Sequence, residues 1–192
     1  METKPDLRKR FRKLRNELSP EDRGAWSIRI CDHLTAFCVS RRIRRIAVFW
    51  PLGSEIDLRP FVHGHPEWTF FFPRVSSTQP PRLVWGPEPL EPGVFGLMEP
   101  AHAQHFMPPV QLVVVPGLIF DDEGYRVGYG GGFYDALLDR LSPEVITLGA
   151  AFQAQRFPAL PCAPQDLPVQ GLVTELGLTW FHRPGEEAQP LN

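Results

Sequence analysis

Apolar residues recur at helical spacing over the first forty positions of the chain. One apolar stripe predicts an amphipathic helix over residues 4–18. The stripe comprises Leu7, Phe11, Leu14 and Leu18. The opposite face carries Arg8, Lys9, Arg12, Lys13 and Arg15. We expect most of these cations to be solvated. A second helix begins at Ser19-Pro20, because serine caps helix N-termini and proline fits the first turn.

Shorter apolar runs then alternate with turns and further helical segments. They predict strands over residues 43–50, 68–72, 112–115 and 144–151, and another that begins at Gly171. The run at 112–115 has no polar position, which is typical of a strand covered on both faces. We expect the strand at Gly171 to lie at a sheet edge, and the strand over 68–72 to end at Pro73-Arg74.

Strands that alternate with helices indicate an α/β fold. We therefore predict a three-layer α/β/α sandwich with a central mixed, mostly parallel sheet of Rossmann-like type, in one domain over residues 1–192. Residues 73–109 interrupt the alternation with nine prolines. Because apolar residues are spread through this segment, it is better interpreted as a wall or lid over a site than as a linker.

A glycine-rich loop after the strand at 112–115 carries the most informative chemistry. Arg126 precedes Gly128 and Gly130–Gly132, and Phe133-Tyr134-Asp135 follows. The backbone N–H groups of such a loop can approach an anion closely. A flexible surface loop, or turns that need positive φ angles, would also explain the glycines. The loop lacks the lysine of a P-loop and the full spacing of a dinucleotide-binding loop.

Composition restricts the class of protein. The chain has 192 residues, 43% of them hydrophobic, which is enough for a full core. No run approaches the roughly 18 apolar residues of a membrane span. The charged N-terminus does not resemble a secretory signal, and three cysteines without C-x-x-C spacing are typical of reduced thiols. We therefore expect a cytoplasmic protein, and a monomer because no obligate interface is indicated.

The charge is unevenly distributed. Residues 1–45 hold 13 Lys or Arg against 6 Asp or Glu, and the remainder is acidic. This asymmetry indicates an anionic ligand or internal charge complementarity. A nucleic-acid partner would need a larger basic surplus, so we expect none. Glu55 follows a predicted strand, where open α/β sheets place ligand crevices. Asp57 is expected to cap the next helix, which leaves Glu55 available for a ligand.

Several segments together resemble the 5-formyltetrahydrofolate cyclo-ligase family, also called methenyltetrahydrofolate synthetases. The strongest match is PGLIFDDEGYRVGYGGGFYD at residues 116–135, which resembles a long and specific family motif. Shorter matches are Lys4-x-x-Leu7-Arg8, Glu55-Ile56 with Pro60, residues 95–100, and Gln155. The resemblance therefore covers nearly the whole chain.

The resemblance implies a ligase that uses ATP and Mg²⁺. It would convert 5-formyltetrahydrofolate, with or without a polyglutamate tail, into 5,10-methenyltetrahydrofolate. The formyl oxygen would be phosphorylated, N10 would attack the activated carbon, and ADP and phosphate would be released.

The resemblance also assigns roles to residues. The ATP-binding residues would be Lys4, Arg8, Arg126, Gly128, Tyr129, Gly130, Gly131, Gly132, Phe133 and Tyr134. Lys4 and Arg126 would act in catalysis by stabilising charge on the transferring phosphoryl group. The substrate-binding residues would be Trp50, Glu55, Tyr129 and Tyr134. Asp135 and Asp166 would bind magnesium.

The chain departs from the family pattern at three positions near these residues, one of which is Val127, where leucine or methionine is commoner. Tyr129 stands where arginine is frequent, and Ala163 stands where an acid is frequent. Two other functions therefore stay open. One is a family member that binds folate or nucleotide without catalysis. The other is a sugar-phosphate isomerase-like enzyme, which would need no ATP but would leave the N-terminal match unexplained.

Overall fold

The computed structural model of the protein describes residues 2–104 and 108–181. The helices are α1 (Lys4–Glu17), α2 (Pro20–Arg41), α3 (Arg59–His63) and α4 (Phe133–Leu138). The strands are β1 (Arg45–Ala47), β2 (Thr69–Thr78), β3 (Pro81–Gly86), β4 (Leu90–Pro92), β5 (Met98–Pro100), β6 (Leu112–Pro116), β7 (Ile119–Phe120), β8 (Arg126–Val127), β9 (Ile146–Ala150), β10 (Gly171–Thr174) and β11 (Gly177–Trp180). Within these two ranges, no helix is long and apolar enough to cross a membrane.

Seven strands form the central sheet, in the order β11-β10-β9-β6-β1-β2-β3. The five inner strands are parallel, and β11 and β3 pair antiparallel at the edges. On one face, Leu34 of α2 shares a buried cluster with Ile46 and Val114. On the other face, Leu137 of α4 shares a cluster with Val113. The predicted α/β fold with a mixed, mostly parallel sheet is therefore confirmed.

The direction of winding reverses between β1 and β6. From β1 the chain continues to β2 on one side, whereas from β6 it continues to β9 and β10 on the other. In open α/β sheets, ligand crevices lie outside the carboxyl ends of the strands at such a reversal. The segments that leave these ends are residues 48–58, after β1, and residues 117–132, after β6.

The predicted N-cap residue is correct for α2 but wrong for α3. The hydroxyl of Ser19 accepts the N–H of Asp22 at 3.0 Å, so the predicted cap of α2 is confirmed. Asp57 is not the cap residue of α3, because Leu58 occupies that position. The Asp57 carboxylate instead accepts the backbone N–H of Arg59 at 3.0 Å and also binds the guanidinium of Arg59.

The prediction that β2 ends at Pro73 is wrong, because the strand continues to Thr78. Beyond Phe71, β2 pairs with β3 alone. The N–H of Val75, two residues after Pro73, donates to Glu99 at 3.1 Å and so faces away from β3. Alternate residues of a strand direct their N–H groups to the same side. Pro73 therefore removes no hydrogen bond from the pairing of β2 with β3.

The prediction of an edge strand at Gly171 is also wrong. β10 pairs with β9 on one side and with β11 on the other, and all four of its residues are buried. β11 is short and half-exposed, with the sequence Gly-Leu-Thr-Trp. A four-residue strand with a glycine and little alternation produces a weak sequence signal, although it covers the edge completely.

Candidate active site

A cavity of about 1000 Å³ opens at the carboxyl ends of β1 and β6. All the residues to which the sequence assigned a role in binding or catalysis line it, namely Lys4, Arg8, Trp50, Glu55, Arg126, Gly128, Tyr129, Gly130, Gly131, Gly132, Phe133, Tyr134, Asp135 and Asp166. They come from α1, from the segment after β1, from β8 and the glycine loop with α4, and from the loop before β10. The fold thus gathers distant parts of the chain around one space.

Backbone conformation explains two of the loop glycines. Gly130 has φ of +103° and Gly132 has φ of +68°, and residues other than glycine rarely adopt such positive values. The explanation that the loop contains turns with positive φ angles is therefore correct at these two positions. Arg8 packs against the same loop, where its Nε donates to the carbonyl of Gly128 at 2.9 Å. A Cβ at Gly130 would lie 3.5 Å from the Arg8 guanidinium carbon. The Arg8 cation therefore lies next to the exposed backbone of the glycine loop.

Arg126 joins the glycine loop to two other parts of the cavity wall. Its Nη2 lies 3.0 Å from Asp135 Oδ1, and its Nη1 donates to the carbonyl of Leu167 at 3.2 Å. The Arg126 side chain is 4% exposed. Burial lowers the pKa of Arg126, and the neighbouring Asp135 carboxylate opposes that change. The guanidinium stays a cation, because an arginine pKa starts far above neutral pH.

Lys4 and Asp166, which the sequence assigned to different ligands, form an ion pair with each other. Asp166 also accepts the backbone N–H of Ala163 at 2.6 Å. Burial would raise the pKa of Asp166, but the hydrogen bonds from Lys4 and Ala163 outweigh it and lower the pKa. Asp166 is therefore a carboxylate at neutral pH, and the first turn of α1 is attached to the loop at 161–166.

Arg15 is a residue whose position the sequence pattern did not reveal. The apolar stripe predicts Arg15 on the polar face of α1, yet this residue is 5% exposed. Its Nε donates to Ser54 Oγ at 3.0 Å, its Nη2 donates to the Tyr129 hydroxyl at 2.7 Å, and its Nη1 lies 3.8 Å from Glu55 Oε1. The Tyr129 hydroxyl donates to Glu55 Oε1. The available signal was that Arg15 follows Leu7 and Phe11 at intervals of four residues.

Other residues of the cavity wall are aromatic or apolar. The Trp50 ring lies 5.7 Å from the Phe72 ring, nearly perpendicular to it. The segment expected to form a wall or lid contributes Pro73, Val75, Pro81, Leu83, Leu97 and Met98 to the lining. Sequence reasoning did not assign these residues individually. A flat heteroaromatic ligand would be covered on such a surface.

Tyr134 lines the cavity from the first turn of α4, directly after the glycine loop. Its hydroxyl is buried and has no hydrogen-bond partner among the residues that the structure describes. Burial raises the pKa of Tyr134, and the charge of Glu55 raises it further, so the phenol is neutral. A buried polar group without a partner is unfavourable by about 1–3 kcal/mol. A ligand in the cavity would supply the missing hydrogen bond.

The carboxylates of the cavity fit one type of metal. Within residues 2–104 and 108–181, no group of three or more His, Cys, Asp or Glu side chains could hold a metal ion. Mg²⁺ differs from Zn²⁺ or Ca²⁺ because it is commonly held by one or two carboxylates, substrate phosphates and water. Asp135 and Asp166 each use one oxygen for a cation of the protein. They fit a magnesium ion that arrives with phosphates, not a fully protein-bound ion.

Comparisons with known proteins identify the family of the chain. The model of the 5-formyltetrahydrofolate cyclo-ligase family matches residues 1–175. The chain is 24% identical over 183 residues to the 5-formyltetrahydrofolate cyclo-ligase of Haemophilus influenzae, with 85% of this chain and 92% of that protein covered. It is 25% identical over 194 residues to the enzyme of the same name from Mus musculus, with coverage of 90% and 93%.

Solved structures give the same result. The 5,10-methenyltetrahydrofolate synthetase of Aquifex aeolicus superposes with a TM-score of 0.81 at 32% identity, over 97% of this chain and 96% of that one. The synthetase of Mycoplasma pneumoniae, at 22% identity, shares the fold with a TM-score of 0.75 over 90% and 98% of the two chains. Because the family model and the Aquifex relative each span nearly the whole molecule, the chain belongs to the 5-formyltetrahydrofolate cyclo-ligase family.

Proposed function

We propose that the protein is an active 5-formyltetrahydrofolate cyclo-ligase. It uses ATP and Mg²⁺ to convert 5-formyltetrahydrofolate into 5,10-methenyltetrahydrofolate, and it releases ADP and phosphate. The observation that carries the proposal is the cavity itself. In a member of this family, one cavity combines a cationic, glycine-lined part with an aromatic and apolar part.

The polar part suits a polyphosphate. Lys4, Arg8 and Arg126 line it together with four glycines, so that cations and backbone N–H groups are available to phosphate oxygens. Arg126 is held on both sides by Asp135 and the carbonyl of Leu167. A guanidinium fixed in this way can stabilise charge on a phosphoryl group in transfer without reorganising during the reaction.

The other part suits the folate. Trp50 offers an aromatic surface for the pterin ring, and Glu55 offers a carboxylate to ring N–H groups. Tyr134 lines the same cavity, and its buried hydroxyl has no hydrogen-bond partner within residues 2–104 and 108–181. This arrangement would bring the formyl oxygen towards the terminal phosphate of ATP. After the oxygen is phosphorylated, N10 attacks the formyl carbon and phosphate leaves.

Magnesium would be held by Asp135 and Asp166 together with phosphate oxygens of ATP. When bound, it neutralises phosphate charge during the transfer. Asp135 and Asp166 each use one oxygen for Arg126 or Lys4, so the second oxygen of each would remain for the ion while the two cations keep their places. Magnesium removal should therefore abolish turnover and weaken ATP binding.

Turnover is tested by the rise in methenyl-folate absorbance from 5-formyltetrahydrofolate, with ADP measured in parallel. We expect ADP and methenyl-folate in equal amounts, dependent on both ATP and Mg²⁺. Thermal stabilisation by either ligand without ADP would instead identify a binding protein. No turnover from well-folded wild-type protein would contradict the proposal.

The same proposal includes a monomer in the cytoplasm, and a substrate with or without a polyglutamate tail. The cytoplasmic location is supported by three unpaired cysteines, Cys31, Cys38 and Cys162. Light scattering of the purified protein tests the monomer, and the ratio of kcat/KM for mono- and polyglutamylated substrate tests the tail.

A further inference from the structure

The Arg15–Tyr129–Glu55 network has one possible direction of hydrogen bonding. A guanidinium has no acceptor, so Arg15 must donate to the Tyr129 oxygen. The single proton of that hydroxyl then goes to Glu55 Oε1. The backbone N–H of Leu52 donates to the other oxygen, Oε2, at 2.9 Å. Both oxygens of Glu55 are therefore anchored, and the orientation of the carboxylate is determined.

Further hydrogen bonds that involve Ser54 and Asn16 hold Arg15 in this network. The Nε of Arg15 donates to Ser54 Oγ at 3.0 Å, and the Ser54 hydroxyl donates to Asn16 Oδ1 at 2.5 Å. Each of the three guanidinium nitrogens of Arg15 therefore faces a different residue: Ser54, Tyr129 or Glu55. A lysine could not do so, because its ammonium is a single point on a flexible chain.

Arg15 does not belong to the lining of the main cavity, whereas Tyr129 and Glu55 do. Arg15 contacts both of these residues, so we expect its effect on a ligand to pass through them. The Glu55 side chain is 8% exposed, so it has little freedom of its own. Each carboxylate oxygen has about two acceptor positions, so positions remain for a ligand after the protein bonds are made.

We propose that Arg15 is a positioning residue for substrate recognition. Through the Tyr129 hydroxyl, it holds the Glu55 carboxylate in the orientation that receives ring N–H groups of the folate. The inference rests on the proposed function, since it concerns the folate part of the same cavity. It adds a residue outside the cavity to the determinants of folate affinity, and it gives the Tyr129 hydroxyl an internal role in place of a phosphate contact.

The test compares Arg15→Gln with Lys13→Gln. Lys13 lies on the same helix, and its side chain is 76% exposed, so its substitution removes the same charge away from the network. We expect Arg15→Gln to raise KM for 5-formyltetrahydrofolate about tenfold and to change KM for ATP less than about twofold. Arg15→Lys should restore less than about half of the lost affinity, because the charge returns without the fork. Lys13→Gln should match wild type.

A double-mutant cycle with Glu55→Gln separates positioning from general stability. If Arg15 acts through Glu55, Arg15→Gln should change KM for folate less than about twofold in the Glu55→Gln background. A full tenfold effect in that background, or equal changes in KM for both substrates, would overturn the inference. An inactive wild type would refute the proposed function instead.

Should Arg15→Gln fail to fold, Tyr129→Phe tests the same link by removing one oxygen from a residue that is 43% exposed. We expect a rise of about fivefold in KM for 5-formyltetrahydrofolate, with KM for ATP within about twofold of wild type. An unchanged KM for folate in this variant would contradict the inference.

Discussion

Replacement of Arg126 by lysine keeps a positive charge in the cavity but removes the planar fork. The native guanidinium binds Asp135 at 3.0 Å and the carbonyl of Leu167 at 3.2 Å with different nitrogens. A lysine ammonium cannot reach both. A hydrogen bond that involves a charged group contributes about 1.5–3 kcal/mol, and Asp135 is 31% exposed, so water replaces part of its loss. We expect Arg126→Lys to lower stability by about 1–3 kcal/mol.

In a domain of this size, each kcal/mol shifts the melting temperature by roughly 2–4 °C, so the variant should remain folded at 25 °C. Its activity should fall much further. Loss of one preorganised donor to a developing charge commonly lowers kcat by about 10²–10³-fold. The assay is methenyl-folate formation at saturating ATP and folate, with a thermal melt on the same sample.

Arg140→Lys is the matched control, because Arg140 is exposed just beyond the end of α4. It should keep wild-type kcat and melting temperature. If Arg126→Lys lowers the melting temperature but keeps kcat within about threefold of wild type, Arg126 has a structural role only, and the reasoning on phosphoryl transfer is refuted.

Three further predictions concern the rest of the molecule. Gly132→Ala places a side chain at φ of +68° without a close contact, so it should lower stability by about 1–2 kcal/mol, measured by urea denaturation; no change would contradict the assigned backbone conformation. The pKa of Asp166 is lowered in the folded state, so this carboxylate stabilises the fold above its ordinary pKa of 3.8 and loses that effect as pH falls through the folded-state pKa. Asp166→Asn should therefore flatten the decline of the melting temperature between roughly pH 5 and pH 3. An unchanged slope would contradict the ion pair with Lys4. Cys162 is exposed, whereas Cys31 and Cys38 are buried and burial raises the pKa of both to about 12. Partial burial and neighbouring carboxylates also raise the pKa of Cys162, so exposure decides the order: a thiol reagent should modify this cysteine before the other two in native protein, and all three in denaturant.

The apolar periodicity of the sequence predicted the helices α1 and α2 and the buried strand β6 well. Each of these signals is local: a stripe every three or four residues, a serine before a proline, or a run of β-branched residues. The prediction failed at β10 and at Pro73. In both cases the outcome depended on whether another strand lies alongside, and a strand partner cannot be read from the residues of the strand itself.

The candidate site, too, was predictable from the sequence in one respect and not in another. The sequence by itself determined which residues could take part, because Arg126, the glycines and Asp135 follow one another within a single motif. Only the tertiary structure decided their partners: Lys4 is paired with Asp166, and Arg15 is buried beside Glu55 and Tyr129. The physical reason is that a charge on a helix is stable either in water or beside an opposite charge. Which of the two it meets depends on segments that are distant in the sequence, as far away as the 162 residues between Lys4 and Asp166.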